Sequence, residues 1–207
     1  MLDFSAIDSD ALAASFRARA VTLLRKFGGD VITSCDPDPP CGSFFLAEAV
    51  SEHEAGRIRV YFGDREFEVR TSIRPVGRPW HLDLAYYLKA MHVDSSSVTD
   101  SMWIHTEERL EVVLEAQRVG LEACLSILSD DPVHWWRQAE EVRQAHLVEG
   151  QAQMRRQELR TAESRAEAAF NEGDFPRVVD LLEPYADILS AAQARKLDLA
   201  RERRGDK

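Results

Sequence analysis

A chain of 207 residues with 44% hydrophobic side chains is long enough to bury a sizeable core, as one domain or as one domain with an appendage. Its formal net charge of −10 argues against duplex binding, which draws affinity from a basic face, so no nucleic-acid partner is expected. The apolar runs fall short of the roughly twenty residues of a membrane span, and Met1 to Asp10 is acidic and mixed, so neither a membrane association nor a secretion signal is expected.

Residues 9–27 set Leu12, Phe16, Ala20, Leu23, Leu24 and Phe27 on one stripe, and Gly28-Gly29 ends it, which predicts an amphipathic first helix. The prolines of Asp36-Pro37-Asp38-Pro39-Pro40 lack donors and push their predecessors toward extended backbone, so this segment reads as a loop. Phe44 to Val50 reads as a strand, joined through Ser51 to Gly56 to the clearest alternation in the chain. There Ile58, Val60 and Phe62 interleave with Arg57, Arg59 and Tyr61, and Phe67, Val69, Thr71 and Ile73 interleave with Glu66, Glu68, Arg70 and Ser72. A two-residue turn at Gly63-Asp64 would set Val60 opposite Phe67, Ile58 opposite Val69 and Arg59 opposite Glu68. Met102-Trp103-Ile104 offers a short fourth strand.

Helical spacing returns over residues 82–91, with His81-Leu82-Asp83 read as ordinary helix N-terminal residues. Thr106 is placed to cap a longer helix whose first turn carries Glu107 and Glu108, the signs a helix N-terminus favours. Its apolar positions, Leu110, Val113, Leu114, Leu121, Cys124, Leu125 and Leu128, widened by Val112, Val119 and Ile127, predict a central, well-buried helix. Asp131-Pro132 restarts helix, and Glu149 to Glu167 is polar nearly all round, the pattern of a solvent-exposed bridge. Gly150 is the expected place for a bend. The fold class that follows is α+β: a three- or four-stranded antiparallel meander covered by helices, a long connecting helix and a C-terminal helical hairpin. The expected division is an α+β body over residues 1–150 and a helical extension over 151–207.

In the extension, Gly173 suits the left-handed end of one helix, Asp174 can cap the next, and Pro176 falls in its first turn. Ser190-Ala191-Ala192-Gln193 is a capping-box pattern opening a third helix. The run from Ala162 through Asn171-Glu172-Gly173-Asp174-Phe175 to Pro184 resembles one tetratricopeptide-repeat hairpin, over about residues 162–200, without a second copy at the repeat spacing. The resemblance implies protein or peptide binding.

Cys35 and Cys41 have five residues between them and no second pair, a poor match to structural zinc, so no metal is expected. Three cysteines, an odd count, fit a reducing cytoplasm. No nucleophile elbow, phosphate-binding loop or dinucleotide fingerprint occurs, so no catalytic residue and no cofactor is assigned. Adjacent tryptophans on a helix project about 100° apart, so Trp136 takes the core spacing and Trp135 must find a second surface or a partner. Trp135, Asp174, Phe175 and Tyr185 are the candidate partner-binding residues.

Residues 151–207 hold 11 Lys+Arg and 11 Asp+Glu, which leaves 15 against 25 in residues 1–150, so the acid excess belongs to the body. The favoured reading is a non-catalytic protein-interaction module, similar in general character to bacterial immunity and inhibitor proteins, that binds a basic partner protein. Two alternatives stand beside it. One is a small-ligand-binding protein or enzyme with a pocket between sheet and helices, using some of Arg59, Tyr61, Arg70, His81 and Asp83. The other is a structural subunit that self-associates as a homodimer through the 132–172 helix.

Overall fold

Alternating side chains build an antiparallel sheet in the N-terminal part of the chain, and a computed structural model describes residues 9–28, 30–34, 45–63 and 67–204. The expected loop at residues 36–40, Cys35, Cys41, Phe44 and Asp64 lie outside the described residues. The chain divides into two units, Met1–Arg143 and Gln144–Lys207. Among the described residues, the first unit holds α1 (Ser9–Arg25), β1 (Val31–Ser34), β2 (Phe45–His53), β3 (Gly56–Gly63), β4 (Val69–Arg74), β5 (Leu82–Asp83), α2 (Leu84–Ala90), α3 (Ser96–Thr99) and α4 (Glu107–Leu128).

The strands lie in chain order, β1-β2-β3-β4-β5, each antiparallel to the next. The expected meander is therefore present, with one short strand added at each edge. The β3–β4 register differs from the one expected. Phe62 pairs with Val69, Val60 with Thr71 and Ile58 with Ile73, and the Gly63 N–H donates to the Glu68 carbonyl, so the connection is longer than a two-residue turn. Because the slip is even, the side chains keep their faces. Ile58, Val60 and Val69 are buried, whereas Phe67, whose φ of 44° takes it out of the strand, is half-buried against Phe62.

Met102–Ile104 does not form a strand, since Trp103 has a φ of 60°. Its neighbours nonetheless flank β4: the Val69 N–H donates to the Ser101 carbonyl and the Ile104 N–H to the Phe67 carbonyl. Leu82 and Asp83 are strand residues rather than the first turn of a helix; Asp83 then caps α2, accepting from the Ala85 N–H at 2.9 Å.

One face of the sheet carries the core. Phe16 of α1 stacks on Phe62 with ring centroids 5.7 Å apart, and Leu110, Val113, Leu114, Leu121, Cys124, Leu125 and Leu128 of α4 are all buried. Thr106 caps α4 through the Arg109 N–H, as its sequence position predicts. Val112 and Val119 do not widen the buried stripe. They are 60% and 51% exposed, on the outward side of the helix.

α5 (Pro132–Asn171) is one continuous helix through Gly150. With α6 (Phe175–Leu182), a 3₁₀ turn at Glu183–Tyr185 and α7 (Ala191–Arg204), the part of α5 from Gln144 onward makes the second unit. Gly173 has a φ of 75°, Asp174 accepts from the Arg177 N–H, and Ser190 and Gln193 exchange both capping-box hydrogen bonds. The core here comprises Leu159, Ala166, Ala169, Val178, Val179, Leu182, Leu197 and Ala200. Between Leu147 and Arg156 nearly every side chain is exposed. Amide hydrogen exchange is therefore expected to be faster across that stretch than across Leu110–Leu128 of α4, because little apolar cover protects its backbone. Equal protection in the two would show the stretch to be covered by another molecule.

Candidate functional site: the outward face of α4

α4 lies against α1, and the two helices leave an open groove of about 790 Å³ between them. Ala18, Leu23, Val112 and Leu114 are its apolar lining, and its charged walls set Glu108, Glu111 and Glu115 against Arg19, Lys26 and Arg118. Every exposed charged side chain on α4 is a glutamate: Glu107, Glu108, Glu111, Glu115 and Glu122. The guanidinium groups beside them are already engaged. Arg19 of α1 bridges to Glu111 at 3.1 Å and Glu107 at 3.8 Å, and Arg118 binds Glu115 at 2.5 Å and also Glu122. The hydrogen bond from Arg118 holds the Glu115 carboxyl below the usual carboxylate range, so this acid stays ionised at any physiological pH. The result is an acidic helix face with two exposed valines one heptad apart.

The four residues singled out in the sequence do not lie on this face. Trp135 belongs to the first unit, half-buried against its core and edge-on to His134 at 5.1 Å; Trp136 is 8% exposed and packs on Trp80 at 5.7 Å. Asp174, Phe175 and Tyr185 belong to the second unit. Asp174 is occupied as a helix cap, and Phe175 meets Phe170 edge-on at 5.6 Å beneath Arg203. Tyr185 lines a cavity of about 360 Å³, with Glu158, Arg165, Asp180 and Leu181 among its walls. Val112, Val119 and the glutamates around them went unread as a site because each valine looked like one more core residue.

Arg59, Tyr61, Arg70, His81 and Asp83 gather on the polar face of the sheet, opposite the face that carries the core. Arg59 reaches Glu48 at 2.5 Å and lies over the Tyr61 ring at 5.1 Å; Arg70 reaches Glu68 at 2.8 Å and Asp83 at 3.7 Å. Burial raises the Tyr61 and Asp83 pKa values above their ordinary ones. Burial, then Arg74, Arg59 and Arg57, push His81 down to about 4. Among the described residues, no group of three His, Cys, Asp or Glu side chains is placed to hold a metal ion.

A depressed histidine pKa makes a signed prediction. Between about pH 6.5, where an unfolded histidine titrates, and about pH 4, the unfolded chain binds a proton that folded His81 refuses, so stability falls as pH falls through that window. His81→Gln is expected to flatten this part of the urea-midpoint profile relative to the native chain. Parallel profiles would show that His81 titrates normally.

These features define a two-unit α+β protein with an acidic helix face and a polar sheet face. No family model, curated protein or solved structure matches the chain. Among the described residues, no helix is long and apolar enough to cross a membrane.

Proposed function

We propose that this protein is a non-catalytic interaction protein of the inhibitor or immunity kind, acting in the cytoplasm, and that α4 captures a basic partner protein. The observation that carries this reading is the composition of the exposed side of α4: five glutamates framing Val112 and Val119, with the adjacent guanidinium groups already neutralised. A negative surface steers a positive partner into encounter, and apolar groups that lose water on docking slow its departure. An amphipathic helix docking along α4 would lay its apolar seam on the exposed Val112, with its basic side chains toward the glutamates on the outward side.

The test is capture from an extract of the native host with the full chain and with a Val112→Asp, Val119→Asp variant. Both valines point outward, so the variant keeps the core intact. One basic protein, bound one to one by the native chain and lost by the variant, is the expected outcome. Equal capture by both chains, or no partner at all, would overturn the α4 reading.

A second reading rests on the cavity at Tyr185. The resemblance to a tetratricopeptide hairpin implies peptide binding, and this cavity of about 360 Å³ is where such a peptide would sit. Tyr185→Ala separates the two readings, since it leaves α4 untouched.

A further inference from the structure

The sheet register brings three guanidinium groups round one imidazole. Arg57 stands directly opposite Arg74, and Arg59 directly opposite Ser72, all on the polar face because buried Ile58 and Ile73 alternate with them. His81 precedes β5, where Leu82 pairs with Ile73, so it falls beside Arg74; its Nδ1 lies 3.5 Å from Ser72 Oγ.

Like charges placed directly opposite in an antiparallel pair oppose pairing, and a chain of net charge −10 has acids to spare for relieving them. Relief here is partial. Glu48 holds Arg59 at 2.5 Å, and the largely exposed Glu52 approaches Arg57 at 3.4 Å. Farther along the face, Arg70 is taken by Glu68 and Asp83. Among the described residues, Arg74 has no carboxylate partner. A basic cluster only partly compensated inside an acidic protein, with a serine hydroxyl and an imidazole nitrogen between its members, has the donor set of an anion site.

We propose that this face binds a phosphate group, held by the guanidinium forks of Arg57 and Arg74 and the hydroxyl of Ser72, with His81 as a further donor once protonated. A carboxylate offers two oxygens and one charge; a phosphate offers more acceptors and close to two charges, which matches donors arriving from β3, β4 and the start of β5. Burial first, and then the field of Arg74, Arg59 and Arg57, keep His81 neutral; arrival of the anion offsets the second of these, so binding and proton uptake at His81 are coupled. Carboxylates facing the group, Glu48, Glu52, Glu68 and Asp83, each already lie beside a guanidinium. The phosphate comes either as the free ion or as a monoester on a small metabolite. This site is independent of the α4 face.

The test is an NMR pH titration of the full chain, with the His81 ring signal assigned by its disappearance in His81→Gln. It is run in chloride, in inorganic phosphate and in glycerol 3-phosphate at matched ionic strength. The apparent His81 pKa is expected to rise by about one unit or more in at least one phosphate arm, while the other five histidines serve as controls. Saturation at the lower concentration with inorganic phosphate marks the free ion as ligand; with glycerol 3-phosphate, a monoester. Arg74→Gln and Arg57→Gln, each on the solvent side of the sheet, are expected to abolish the response. A His81 titration that is the same in all three salts, or a response that survives both substitutions, overturns the proposal.

Discussion

Phe16→Ala is expected to destabilise the first unit by about 3–5 kcal/mol, the usual loss for truncating a buried phenylalanine. Its side chain is fully buried, and it stacks on Phe62 at an interplanar angle of 29°, joining α1 to the middle of the sheet. Truncation removes both the transfer free energy of the ring and the partner surface of Phe62, and β3 cannot follow the retreating side chain without losing pairing to β2 and β4. Urea denaturation followed by far-UV circular dichroism measures the change. A loss below about 1 kcal/mol would show that α1 sits loosely on the sheet.

Gly56→Ala is expected to cost about 3 kcal/mol, for two separate reasons. Gly56 has a φ of 136°, a conformation side-chain-bearing residues rarely adopt, with a penalty on the order of 1–3 kcal/mol. A Cβ there would also lie 2.4 Å from the Arg74 carbonyl oxygen and 2.6 Å from the Pro75 Cα, backbone atoms that cannot move aside as a side chain could. Such overpacking adds roughly 1–3 kcal/mol. The same denaturation experiment applies, and a change within about 0.5 kcal/mol of native would show that the end of β4 has room to shift.

The sequence makes the elements legible more readily than their connections. Alternation put Ile58, Val60, Phe62 and Val69 on one face because a period of two survives any even slip in register. The length of the turn after Gly63 leaves no such trace, and so Arg59 found Glu48 rather than Glu68, and Glu68 found Arg70. The edge strands Val31–Ser34 and Leu82–Asp83 are too short for a periodicity to show. Caps were readable at Thr106, Asp174 and Ser190 because that chemistry is local.

The α4 face was readable in principle. At 3.6 residues per turn, Val112 and Val119 fall about half a turn round from Leu110, Leu121 and Leu128, on the side that Glu108 and Glu115 mark as outward. Counting them as a widening of the stripe set hydrophobicity above position. Arg57 opposite Arg74 was not readable, because that pairing follows from the register.

The capture of a basic partner through α4 is tested most directly by association kinetics at low and high salt. The partner retained by the native chain would be measured against the native protein and a Glu108→Gln, Glu111→Gln, Glu115→Gln variant. The native on-rate should fall by about tenfold or more as salt rises, while the variant, slower at low salt, should show a flatter dependence. An on-rate indifferent to salt, or binding that survives the glutamate substitutions and is lost with Tyr185→Ala, would contradict the account and move recognition to the C-terminal hairpin.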